Sequence, residues 1–143
     1  QFLGSASDEK VIKIRKEVKN IAYSINPFVL TVSETGCFPN RSKPSVLYLG
    51  VGGNIEALKA LVVKINDKMS QIGFKKDSES FIPHITVAKI NYPQKFNPDL
   101  SIFLNSTYDE VEFSVDKIQL LESKTLTEGV VYETLNTFSF LEK

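Results

Sequence analysis

The sequence predicts an α+β fold in one domain, and three observations carry that prediction. Two stretches repeat their apolar residues at intervals of three and four. Others are rich in β-branched and aromatic residues between turn signals. No linker, low-complexity run or charge block divides the chain. At 143 residues it falls in the commonest single-domain range and can bury a sizeable core. Seventeen basic and seventeen acidic side chains cancel, which argues against a histone-like polycation and leaves room for a local basic cleft. No run approaches the roughly eighteen apolar residues of a membrane span. The single cysteine, Cys37, excludes an internal disulfide, fits a reducing, cytoplasmic compartment, and reads as a buried filler rather than a nucleophile.

The chain opens on Gln1 and then Phe2-Leu3-Gly4, apolar and strand-like, with no signal-peptide pattern. That beginning is expected of a chain that starts inside a folded domain, so the domain over 1–143 reads as N-terminally incomplete. Ser7, followed by Asp8 and Glu9, is an N-cap with an acidic first turn. Val11, Ile14, Val18, Ile21, Ala22 and Ile25 continue a helix to about Ser24, and Asn26-Pro27 stops it. Phe28 to Ser33 is a strand, Glu34 to Pro44 a turn-rich loop with Arg41 and Lys43, and Ser45 to Val51 the antiparallel neighbour. Gly52-Gly53-Asn54 caps a second helix with the stripe Ile55, Leu58, Leu61, Val62, Ile65, Met69 and Ile72, closed by Gly73. Lys75, Lys76, Asp77 and Glu79 form a solvated loop. The segment with Pro93 and Pro98 is a loop, Asp99 to Asn105 a short helix, and Val111 to Glu122 and Gly129 to Phe138 a final strand pair joined through Ser123 to Glu128.

Between the second helix and that pair lies Phe81-Ile82-Pro83-His84-Ile85-Thr86-Val87-Ala88-Lys89, which holds the only histidine. As a strand it sends Ile85 and Val87 into a core and presents His84 and Thr86 together on the other face. An imidazole can give or take a proton near neutral pH, and a hydroxyl beside it can hydrogen-bond an oxyanion. That pairing suits phosphate-ester chemistry better than metal binding, because no second histidine and no carboxylate stands at ligand spacing nearby. A lone strand histidine is also commonly no more than a hydrogen-bonded structural residue. A weak internal repeat sets Gln1-Phe2-Leu3 opposite Ala88-Lys89-Ile90, and on that register a second histidine and threonine would precede Gln1.

Pro83-His84-Ile85-Thr86-Val87-Ala88-Lys89 resembles the second His-x-Thr motif of the two-histidine phosphoesterase superfamily, specifically the RNA 2',3'-cyclic phosphodiesterases, also called 2'-5' RNA ligases. Phe2-Leu3-Gly4 resembles the end of that family's first motif strand. Gly36-Cys37-Phe38-Pro39 with Pro44, and Val46-Leu47-Tyr48-Leu49-Gly50-Val51, resemble its Gly-x-Phe-Pro loop and following strand, and Gly73-Phe74 also fits. The resemblance covers nearly the whole chain. It departs at Ser45, Glu79-Ser80 and Lys89, where relatives often carry arginine, and the first His-x-Thr is absent from these residues. Each lost guanidinium removes a bidentate phosphate grip, although Lys89 keeps a point charge.

The resemblance implies a bilobal α+β fold of duplicated antiparallel sheets flanked by helices around a central cleft. It implies hydrolysis of RNA 2',3'-cyclic phosphate ends, or of cyclic nucleotides, to 2'-phosphomonoesters by paired histidines, without metal or other cofactor, in a monomer. His84 is then one member of the acid/base pair and Thr86 a phosphate ligand. Lys89, and less directly Arg41 and Lys43, line the RNA approach, while Phe38 or Phe81 stacks a base; plain core packing is the alternative for both aromatics. The rival reading is a catalytically impaired module of the same fold that only binds a nucleotide or an RNA end. No Gly-rich phosphate loop points to ATP use.

Overall fold

The computed structural model describes residues 1–76, 81–91 and 99–141. Their elements are α1 (Asp8–Ala22), β1 (Phe28–Phe38), β2 (Val46–Gly53), α2 (Ile55–Gln71), β3 (His84–Lys89), α3 (Ser101–Leu104), β4 (Val111–Val115), β5 (Lys117–Leu126) and β6 (Gly129–Ser139). They gather into two units. One comprises Gln1–Phe28, Glu56–Glu79 and Ser114–Lys143, the other Val29–Ile55 and Ser80–Phe113.

In the first unit, α1 starts where the cap residues place it. Ser7 is extended, and its hydroxyl accepts from Lys10 N at 3.4 Å. The helix ends slightly before Ser24, because Ser24 N reaches Ile21 O at 2.9 Å, a three-residue step that tightens and closes the last turn. At the end of α2, Gly73 takes φ +88°, Gly73 N bonds Ser70 O at 3.0 Å and Phe74 N bonds Met69 O at 3.0 Å. This is the Schellman arrangement, which satisfies two orphan carbonyls and folds the chain back on the helix. Phe74 thereby joins Met69, Ile14 and Val18 in the core, with Leu3, Ile65, Ile72, Ile118, Leu120 and Phe138 packed against them.

The expected strand Val111 to Glu122 is instead two strands. β4 lies beside β1 in a sheet ordered β3-β2-β1-β4, whereas β5 pairs with β6. Alternation marks extended chain but not the sheet it joins, and the switch falls at Asp116, whose carbonyl accepts Phe140 N at 2.7 Å. The β5–β6 turn is also shorter than expected, because the ladder runs to Leu126↔Gly129.

The second unit is built on the sheet that carries the histidine strand. β1 and β2 pair antiparallel as the sequence predicts, but β1 extends past Ser33 into the expected loop. Glu34, at φ +61°, is an inserted residue, and pairing resumes from Thr35↔Leu49 to Phe38↔Val46. β3 pairs antiparallel with β2 and forms the edge of the sheet. The expectation that Ile85 and Val87 enter a core is not met: they are 43% and 49% exposed, whereas Leu30 and Leu47 on the two inner strands are 3% and 8%. An edge strand has a neighbour on one side only, and its side chains are correspondingly less covered. Cys37 is half-buried. The expected helix near Asp99 is the single turn α3, where the Asp99 carboxylate accepts Ser101 N at 2.9 Å. Asp77, Glu79, Pro93 and Pro98 lie outside the described residues. Among the described residues, no helix is long and apolar enough to cross a membrane.

Candidate active site

His84 opens β3 and is exposed. Its Nδ1 lies 2.7 Å from the carbonyl oxygen of Ile82. A carbonyl can only accept, so Nδ1 carries the proton and donates, and Nε2 is the nitrogen left to exchange one with a ligand.

The strand register collects the other side chains. Residues directly opposite in an antiparallel ladder share a face, and β3 matches β2 as Gly50↔His84, Tyr48↔Thr86 and Val46↔Lys89. Simple alternation would put Lys89 with Ile85, away from the histidine. The ladder is irregular between Leu47 and Tyr48, where Val87 is the inserted residue, and one inserted residue exchanges the faces beyond it. Lys89 therefore returns to the face of His84 and Thr86. Glu34 does the same on the other flank of β2, so that Gly36 lies opposite Tyr48 and Phe38 opposite Val46.

One face of three adjacent strands thus presents Phe38, Tyr48, His84, Thr86 and Lys89. The rings meet there: Phe38 stacks on Tyr48 with centroids 4.4 Å apart, and the imidazole stands edgewise to both, at 5.2 Å from Phe38 and 5.6 Å from Tyr48.

Arg41 and Phe81 stand apart from this cluster. The Arg41 Nη2 donates to the Leu104 carbonyl at 3.4 Å, across to the end of α3. Phe81, 44% exposed, makes no ring contact among the described residues. Ser45 closes the turn before β2, donating from both its N and Oγ to the Phe38 carbonyl at 2.7 and 3.2 Å. Sequence reasoning passed over Tyr48, reading it as one more strand residue. Its place opposite Thr86 is set by the pairing of β2 with β3, two strands separated along the chain by α2, and local composition does not reveal that pairing. Among the described residues, no three His, Cys, Asp or Glu side chains group as metal ligands would. An imidazole, a hydroxyl and an ammonium on one face can together exchange a proton with an anion and hydrogen-bond it.

The 2'-5' RNA ligase superfamily profile matches residues 2–126. The chain is 31% identical over 145 residues to the RNA 2',3'-cyclic phosphodiesterase of Aquifex aeolicus, covering 96% of this chain and 74% of that one. It is 28% identical over 138 residues to the enzyme of the same name from Methanocaldococcus jannaschii, covering 94% and 75%. The crystal structure of TT0787 of Thermus thermophilus superposes with a TM-score of 0.75 at 23% identity, over 97% of this chain and 74% of that one. That of E. coli LigT complexed with 3'-AMP gives 0.72 at 22%, over 99% and 75%. These structures share the α+β fold of antiparallel sheets and helices described above. With the fold, the length of the match and the identities in agreement, this chain belongs to the 2'-5' RNA ligase superfamily.

Proposed function

We propose that the protein hydrolyses RNA 2',3'-cyclic phosphate ends to 2'-phosphomonoesters without a metal ion, with His84 as one member of an acid/base pair. The observation that carries this reading is the hydrogen bond from His84 Nδ1 to the Ile82 carbonyl. It leaves Nε2 on an exposed face beside Thr86 and Lys89. The names of the relatives supply the substrate class.

A cyclic phosphate bridging two ribose oxygens is opened by water attacking phosphorus in line with the departing 3' oxygen. The P–O3' bond breaks, the water loses a proton and O3' gains one. Two imidazoles on opposite sides of phosphorus, one neutral and one protonated, perform both transfers. His84 Nε2 is the one that these 143 residues supply, since they contain a single histidine. Thr86 donates its hydroxyl hydrogen to a non-bridging oxygen, where charge must be held during transfer. Lys89 adds a point charge. Phe38 and Phe81 offer rings to a base, and Arg41 a cation to the RNA strand, farther from the reacting atoms.

Proton transfer by a positioned side chain is worth roughly a hundred- to ten-thousandfold. The full gene product is therefore expected to open a 2',3'-cyclic nucleotide in the presence of chelator, and His84→Ala to lose about a hundredfold or more in kcat at unchanged circular dichroism. Full activity of that variant would remove His84 from the mechanism. Tight binding of the cyclic nucleotide with no turnover by the unaltered protein would make it a binding module instead.

A further inference from the structure

We infer that Tyr48 is the positioning residue of His84, and that Gly36 is glycine because Tyr48 needs the space above it. The inference rests on the acid/base role proposed for His84 and extends it to residues that would never touch the phosphate.

An exposed side chain on an edge strand ordinarily samples several rotamers. One hydrogen bond, from Nδ1 to the Ile82 carbonyl, fixes one point of the imidazole but leaves the ring free to swing about it. The edgewise contacts to Phe38 and Tyr48 remove that freedom. Aromatic rings prefer this edge-to-face approach because the positive edge of one meets the negative face of another. Phe38 and Tyr48 are in turn stacked on each other, so the three rings form one interlocked group on the β1, β2 and β3 face.

Tyr48 occupies the middle strand and is held from the β1 side. Gly36 is its direct cross-strand partner, and a Cβ at Gly36 would fall within the phenol end of the Tyr48 ring. The backbone of Gly36 needs no special conformation, since its φ is not positive. Its requirement is therefore for space, and the occupant of that space is the ring that bears on His84. Any larger residue at 36 pushes Tyr48 off the β1 backbone, and the imidazole loses one of its two supports. A misplacement on the order of 1 Å at a reacting group costs roughly a hundredfold in rate, so this support has kinetic weight.

Four variants of the protein test this, with two readouts. The carbon-bound ring protons of His84 are assigned in an NMR spectrum by their absence from His84→Ala, and they are read with no substrate present. Tyr48→Ala is expected to shift these ring signals and to lower kcat for a 2',3'-cyclic nucleotide by roughly ten- to a hundredfold with KM nearly unchanged. Tyr48→Phe, which keeps the ring, restores both. Gly36→Ala is expected to reproduce the signal shift and kcat loss with Tyr48 still present. The double variant should be no worse than Tyr48→Ala alone, because the two act as one unit.

Should Gly36→Ala fail to fold, the pair Tyr48→Ala and Tyr48→Phe still decides, since removing a ring introduces no clash. Ring signals that stay in place in Tyr48→Ala, or a kcat that holds while they move, overturn the inference. So do fully additive losses in the double variant. If His84→Ala instead retains full activity, the proposed acid/base role fails, and the ring signals still report separately whether Tyr48 orients the imidazole.

Discussion

Lys89 shows how far a single inserted residue alters what a side chain can do. By plain alternation it belongs with Ile85 and would have no access to an anion held by His84 and Thr86. With Val87 inserted, it faces the same way as both. Lysine supplies a strongly hydrated point charge where a guanidinium would offer a two-pronged grip. Lys89→Ala is therefore expected to raise KM for a 2',3'-cyclic nucleotide about three- to tenfold with a smaller change in kcat, and Lys89→Arg to lower KM below that of the unaltered protein. Steady-state kinetics at low ionic strength read both. If neither variant moves KM, Lys89 is off the site face and the register argument fails with it. Thr86 needs no such correction. Its place beside His84 follows from the period of the strand, which is why the His84–Thr86 pair was legible in the sequence and the part played by Tyr48 was not.

The elements divide the same way between what local chemistry specifies and what tertiary pairing decides. Ser7, the helix stripes and Gly73 are local signals, and α1 and α2 follow them to within a few residues. Gly73 adopts φ +88° in open space, a Cβ there meeting only the Lys10 Nζ at 3.8 Å. Gly73→Ala should then destabilise by about 1 kcal/mol through backbone strain alone, lowering the melting temperature by a few degrees with no change in the His84 ring signals. An unchanged melting temperature would show that the Schellman turn is not strained by a side chain.

The inserted residues Glu34 and Val87, and the change of sheet at Asp116, belong to the second class. Nothing in their composition distinguishes them from ordinary strand, because a bulge is set by the partner strand. The β5–β6 ladder shows the same dependence on pairing. Glu122 and Glu133 are directly opposite, a repulsive arrangement that Lys124 relieves by bonding Glu133 at 2.6 Å and approaching Glu122 at 3.5 Å. The hydrogen bond that Lys124 donates to Glu133 holds the Glu133 carboxyl below its usual range and raises the Lys124 ammonium. Whatever stability this contributes is present above the ordinary carboxylate range and is lost as pH falls through the lowered Glu133 value. All three side chains stand in solvent, so the contribution is screened by salt.

For the molecule as a whole, charge bears on how the proposed RNA substrate would be held. Seventeen cations against seventeen anions give no net field for a polyanion, so the affinity for the proposed substrate is expected to come chiefly from its end rather than from the length of the strand. The two units are also interleaved along the chain, each built from separate stretches, so no single cut separates one from the other. On the proposed function, the property that a face with an imidazole, a hydroxyl and an ammonium selects is the terminal cyclic phosphate and the nucleoside that bears it. Single strands lose affinity with salt by a logarithmic slope of about 0.7 for each phosphate neutralised. With Lys89 at the site and one or two further cations on the approach, the slope should lie between about −1.4 and −2.1. Oligonucleotides ending in a 2',3'-cyclic phosphate should bind with nearly the same affinity from a few nucleotides to about thirty. Fluorescence anisotropy over a salt series, repeated at several lengths with the inactive His84→Ala variant, measures both quantities. A steep slope, or affinity that climbs with length, would mean that a basic track outside this face grips the strand, and that the end is not what the protein chiefly recognises.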